Sequence, residues 1–289
     1  MKPEKTIINY STSGLGNRLR PLASCAAISK QSGRKLAIYW DNITPNGCLA
    51  KFDELFTNFI PTYSLTDLEH LNDCLLLTES GTQGHGMDRE LIKFGRKSLK
   101  LLSYNNPYRH HDSFSFEDQN TNIIVYHNNF LPTVDLNEAH SFIASLRPIP
   151  KIQEKIDYYA GSLNLSKDVI GIHARGTDFG INVEEYIHEV YNILNRDPKK
   201  KIFLSTEDES FEKEFLNVFG DNLILRKKQF YVKRLSENRP WTDHNNFYIT
   251  KSHAEEAVED LYLLAKTRIS IYNSISSFAE IAIILSKYY

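Results

Sequence analysis

The first forty residues constrain this chain most. Thr6 to Tyr10 (TIINY) is a short apolar run of strand type, and Ser11 to Asn17 (STSGLGN) is a glycine-containing turn. Leu15, Leu19, Leu22 and Ala26 then recur at helical spacing, and Gly33 stands where a left-handed residue would end that helix. Lys35 to Trp40 (KLAIYW) is a second strand-like run. A strand, a helix and a strand in this order predict a parallel pair with a right-handed crossover. Pro21 is compatible with the helix only near its start or as a kink.

The same alternation resumes further on. Leu75 to Phe116 is polar and is expected to be irregular, with short helices. Ile123 to His127 (IIVYH) reads as a strand and Glu138 to Leu146 as a short helix; Arg147 to Pro150 (RPIP) is a rigid extended break. Helices are expected over Ile152 to Tyr159, Glu184 to Asn195, Phe211 to Phe219, Glu255 to Lys266 and Phe278 to Ser286. Strands are expected at Val169 to His173, Ile202 to Ser205, Asn222 to Leu225 and Arg268 to Tyr272, with a long polar loop over Arg226 to His253. This is an α/β pattern, and 289 residues suit two domains, here 1–147 and 148–289.

Composition narrows the function. With 34 basic against 36 acidic residues the net charge is −2, which argues against nucleic acid as the partner. Cys25, Cys48 and Cys74 are odd in number and widely spaced, so neither a disulfide scaffold nor a structural zinc site fits, and reduced thiols are expected. The opening MKPEKTIINYSTSGLG lacks the apolar core of a signal peptide, and no apolar run is long enough for a membrane span. A cytoplasmic location is the expectation.

Four segments carry possible chemistry. In GLGNR the glycines Gly14 and Gly16 let backbone approach a ligand, and Asn17 and Arg18 add hydrogen-bonding groups at a helix start. It is neither a full dinucleotide fingerprint nor a P-loop. In HARGTD, His173 and Arg175 project to one face at a strand end, with Asp178 close by; a planar guanidinium there matches a phosphate. In STEDES, Glu207 and Asp208 follow a strand and suit ribose or base hydrogen bonds, a metal site with Glu209, or a solvated helix start. In NSISSFAE, Ser277 and Glu280 form a capping box, leaving Ser276 for an anion. Asp260, in EDLYLL, is acidic beside an apolar stripe, and Arg226-Lys227-Lys228 reads as a solvated loop edge.

Taken in order, GLGNRLR, HARGTD, STEDES, EDLYLL and NSISSFAE resemble the fucosyltransferase superfamily that includes the nodulation-factor, core α1,6- and protein O-fucosyltransferases. The resemblance implies a GT-B fold of two Rossmann-like domains whose parallel sheets face a central cleft. It implies a GDP-fucose donor, a glycan acceptor, inversion at the anomeric carbon, no cofactor and no metal. It places Arg175 on the donor diphosphate, His173 near the nucleotide, Glu207 and Asp208 close to the donor, and Asp260 on guanine. Ser276 and Ser277 fall near the phosphates, and Gly16, Asn17 and Arg18 face the donor from the N-terminal half. Asp178, Glu184 and Glu185 are the acidic groups that would orient or deprotonate the acceptor. The chain stops soon after SSFAE, with no closing element beyond that helix, as in a short member or a shortened chain. Another nucleotide sugar, or a non-catalytic GDP- or glycan-binding relative, would keep the same architecture.

Overall fold

The computed structural model describes residues 5–42, 48–71, 74–78, 100–103, 121–126, 129–131, 134–174, 183–230 and 250–289. The opening unit folds as expected. Strand β1 (Thr6–Ser11) leads into α1 (Leu15–Ser32), which ends at Gly33 with φ +65°, and β2 (Lys35–Trp40) pairs in parallel with β1. Pro21 lies inside α1, and the helix continues through it.

Helix α2 (Leu65–Glu69), β3 (Cys74–Thr78), β4 (Lys100–Ser103) and β5 (Asn122–Tyr126) follow. The first sheet is all parallel, with order β2-β1-β5-β3-β4. Two of its strands fall in the segment expected to be irregular. Cys74–Thr78 (CLLLT) is a short unalternating apolar run, which periodicity alone does not separate from a helix turn. Both faces of this sheet are covered, and period-2 geometry divides its residues between them. Ile7, Ile38, Trp40, Leu75, Leu77, Ile123 and Val125 join the larger core with α1. Ile8, Tyr10, Ala37, Tyr39, Leu76, Ile124 and Tyr126 form a second core on the other face.

Helices α3 (Leu136–Ser145) and α4 (Pro150–Ser162) flank the RPIP break, α4 starting on the proline itself. Then come β6 (Ile170–Ala174), α5 (Val183–Leu194), β7 (Ile202–Thr206), α6 (Glu209–Phe219), β8 (Leu223–Ile224), α7 (Lys251–Ala265), β9 (Arg268–Tyr272) and α8 (Ser277–Ser286). The second sheet is also parallel, with order β8-β7-β6-β9. Ile170, Ile172, Ile202 and Leu204 face α5 and α6, while Phe203 faces α7. All three cysteines are buried, and none forms a disulfide among the described residues. No described helix is long and apolar enough to cross a membrane.

Helix α8 packs on α7 and β9 of its own half and also on α1 and α3 of the other. The final helix therefore bridges the two halves. One core runs from Ile7 to Leu285 through both halves. Tyr262 donates its hydroxyl to the Leu146 carbonyl at 2.9 Å, and Lys251 pairs with Glu54 at 2.8 Å.

The contact between α1 and α8 depends on Gly16. A Cβ at that position would lie 2.5 Å from the Ser277 carbonyl carbon and 2.6 Å from the Phe278 nitrogen, both rigid backbone. Around Gly14, two residues earlier, nothing lies within 4 Å of a Cβ. Gly16→Ala should therefore cost about 2 kcal/mol, while Gly14→Ala should cost under about 1 kcal/mol. Thermal melts of the two variants check the difference, and equal melting temperatures would refute the close approach.

Candidate functional site

The loops at the carboxyl ends of parallel strands are where α/β sheets bind ligands. Here those ends carry most of the residues that stood out in the sequence. Register pairs His173 on β6 with Ser205 on β7, and alternation turns both toward the face covered by α7 and α8. His173 is buried, stacks on Phe278 at 4.9 Å between ring centroids, and has its Nδ1 3.3 Å from the Ser276 hydroxyl. Ser205 donates to Oδ2 of Asp260 on α7 at 3.5 Å.

The start of α8 differs from the capping box expected there. Ser276, not Ser277, is the N-cap, its hydroxyl accepting from the Ala279 N–H at 3.2 Å. Ser277 is the first helical residue, and its backbone is the surface Gly16 rests on. Glu280 does not reach back to cap; it pairs with Arg20 of α1 at 2.9 Å. The Arg20 side chain is mostly buried, so the better partner for Glu280 is a guanidinium rather than a backbone N–H.

The GLGNR residues are placed differently from one another. Gly16 touches α8 rather than open space. Asn17 is half-buried and accepts from Arg20 Nη2 at 2.9 Å. Arg18 is fully buried: it donates from Nε to the Ser13 carbonyl and lies 4.8 Å over the Trp40 ring. Burial lowers its pKa, against the opposing pull of Cys48 and Asp41. Among the described residues its two Nη atoms have no hydrogen-bond partner. With no exposed surface, the Arg18 side chain lies beneath the 11–14 turn and supports it.

STEDES turns out to be largely a helix start. Asp208 is the N-cap of α6, accepting from the Ser210 N–H at 2.8 Å and the Phe211 N–H at 3.4 Å. Glu209 pairs with Lys213 one turn on, at 2.9 Å. Glu207 is half-buried at the β7 end, beside Thr206. Among the described residues, no group of three or more His, Cys, Asp or Glu side chains is placed to hold a metal ion.

Asp260 is the centre of a buried charge cluster. Its Oδ1 accepts from Arg226 Nε at 2.7 Å and its Oδ2 from Lys228 Nζ at 2.8 Å. Arg226 also donates to Glu259 at 2.9 Å, and Lys155 of α4 holds the other Glu259 oxygen at 2.8 Å. Burial raises the Asp260 carboxyl, but the charges of Lys228 and Arg226 outweigh it and hold the carboxyl below its ordinary value. Arg226 and Lys228 were expected at a solvated loop edge. Their side chains are only 2% and 7% exposed, because α7 offers carboxylates at the one place where the chain leaves β8. Position was the available signal: Arg226 stands immediately after a predicted strand, at the same sheet edge as the other motifs.

Arg175 and Asp178 lie outside the described residues. Glu184 and Glu185 are exposed on the first turn of α5. Arg226→Met would strand two buried carboxylates and should cost about 3 kcal/mol at neutral pH. Because the Asp260 carboxyl is lowered in the fold, its stabilising contribution is present above its ordinary pKa and lost as the pH falls below it. The deficit of the variant should therefore shrink below about pH 4. Denaturant titrations across that range read this directly, and a deficit that stays constant into acid would refute it.

No protein-family model matches the chain, and no curated protein matches it in sequence. Solved structures do match it in three dimensions. NodZ alpha-1,6-fucosyltransferase soaked with GDP-fucose aligns with a TM-score of 0.64 and 18% identity, over 98% of this chain and 92% of the other. Fucosyltransferase NodZ from Bradyrhizobium aligns with a TM-score of 0.62 and 18% identity, over 98% and 93%. POFUT1 in complex with GDP aligns with a TM-score of 0.56 and 11% identity, over 98% and 94%. The chain thus has the two-sheet GT-B fold of these fucosyltransferases, along nearly its whole length.

Proposed function

We propose that this chain is an inverting glycosyltransferase that moves fucose from GDP-fucose to a hydroxyl of a glycan acceptor, without a metal ion. One observation carries the reading. The fold matches fucosyltransferases crystallised with GDP or GDP-fucose over 98% of the chain, and it gathers His173, Ser205, Asp260 and Ser276 at the strand ends where such a fold binds ligands.

The mechanism follows from charge. Breaking the bond between fucose and GDP develops positive charge on the sugar ring and negative charge on the departing diphosphate. Arg175, just past the end of β6, stabilises that diphosphate, together with the N-terminus of α8 behind Ser276 and Ser277. His173 is fixed between Ser276 and Phe278 and so holds the end of β6, two residues before Arg175 in the sequence. Asp260 receives the guanine N1–H and N2–H donors. Asp178, Glu184 or Glu185 orients the acceptor hydroxyl and takes its proton as the new bond forms.

Arg175→Ala should lower the transfer rate at least about 100-fold with the melting temperature unchanged, and near-normal turnover would remove Arg175 from the mechanism. Calorimetry separates the donors: GDP should bind far more tightly than UDP or dTDP, and transfer should survive EDTA. Equal binding of all three nucleotides would refute the guanine-specific reading. GDP binding with neither hydrolysis nor transfer of GDP-fucose would mark a binding protein rather than an enzyme.

A further inference from the structure

The carboxylate assigned to the base is already occupied from within the chain. Asp260 Oδ1 accepts from Arg226 Nε at 2.7 Å, and Oδ2 accepts from Lys228 Nζ at 2.8 Å and from the Ser205 hydroxyl at 3.5 Å. A guanine edge offers two N–H donors side by side, and to meet this carboxylate it needs the Oδ2 position that Lys228 holds, while Arg226 stays on Oδ1. We propose that Lys228 is an internal competitor for the nucleotide base, holding Asp260 until the base enters and then swinging off. This rests on the reading of Asp260 as the base-recognising carboxylate.

The two cations are not held alike. Arg226 is fastened three ways, with further bonds to Glu259 at 2.9 Å and to the Glu256 carbonyl at 3.3 Å, and its guanidinium lies 5.6 Å over the Tyr159 ring. It is part of the fold. Lys228 has one ion pair among the described residues, to Asp260, and its ammonium lies 5.6 Å from the Phe230 ring centroid. A compact ammonium on a four-carbon stem can leave where a forked guanidinium cannot. A second carboxylate, Glu212 on α6, lies within electrostatic reach of Lys228 and offers the released ammonium a partner.

The exchange also sorts bases. Releasing Lys228 leaves a buried carboxylate short of one partner, and an unpaired buried charge is costly. A base that brings N–H donors restores the loss. Guanine does so with two adjacent donors, whereas adenine offers only its N6 amine and sets the lone pair of ring N1 against the carboxylate. Lys228 thus lowers the apparent affinity for every nucleotide and admits those that can replace its hydrogen bond.

The experiment is calorimetric titration of GDP and ADP into wild type, Lys228→Met and Lys228→Arg, with melting curves recorded for each. If the latched state dominates about ten to one, removing it should tighten GDP binding about tenfold. Lys228→Arg keeps the charge and adds donors, so it should bind GDP no more tightly than wild type. Lys228→Gln, with the same expectation as methionine, serves if the methionine variant does not fold. Unchanged or weaker GDP binding by the neutral variants overturns the latch while leaving the base site standing. Wild type that binds ADP as tightly as GDP overturns the base site and the latch with it.

Discussion

Two helix N-termini touch in this protein, and the rest of the arrangement follows from that contact. Helix α1 leaves the end of β1, α8 leaves the end of β9, and Gly16 rests on the backbone of Ser277 and Phe278. Strands β1 and β9 belong to different sheets, so this one contact brings the carboxyl edges of both sheets together. Any side chain at position 16 would force the helices apart. Two positive dipole ends side by side repel, and the local charges answer this in part. Ser276 caps α8, and Glu280 in its first turn pairs with Arg20 from α1, which also holds Asn17. The same residues thus fasten the two halves to each other.

The second organising feature is the charge cluster between α7, α4 and the segment after β8. Buried ion pairs are a poor source of net stability, because desolvation cancels most of the attraction. They are costly to break, however, and they fix geometry. Arg226 anchors the chain leaving β8 to Glu259 and Asp260, and Lys155 ties α4 to the same Glu259. Glu212 and Glu256, at the margin of the cluster, have their carboxyls raised by burial. The cluster carries more carboxylates than the neighbouring cations neutralise comfortably.

Much of this was legible in the chain itself. Apolar runs such as IIVYH and VIGIH gave strands, the spacing from Leu15 to Ala26 gave α1, and Gly33 marked its end where expected, while Pro150, read as part of an extended break, opens α4. The errors have local causes. CLLLT has no alternation, because both faces of its strand are buried, so it did not announce itself as a strand. Ser276 and Ser277 are chemically equivalent as caps, and the choice between them came from where α8 meets α1. Asp208 and Asp260 are the same residue type after or beside an apolar run, yet one closes a helix end and the other anchors two cations.

Short-range chemistry is therefore what the sequence determined: which segments are strands, which turns need glycine, which motifs follow a strand end, and hence a parallel α/β fold. Those properties depend on residues a few positions apart. Tertiary structure alone decided which polar groups meet. Arg18 and Arg20 are two residues apart on one helix, but one is buried beneath a turn against Trp40 and the other reaches Glu280, 260 residues away. Asp260 finds Arg226 and Lys228 only because α7 packs beside the exit of β8. A side chain's charge is written in the sequence. Whether that charge faces water, a partner or an incoming ligand depends on which distant segment the fold sets against it.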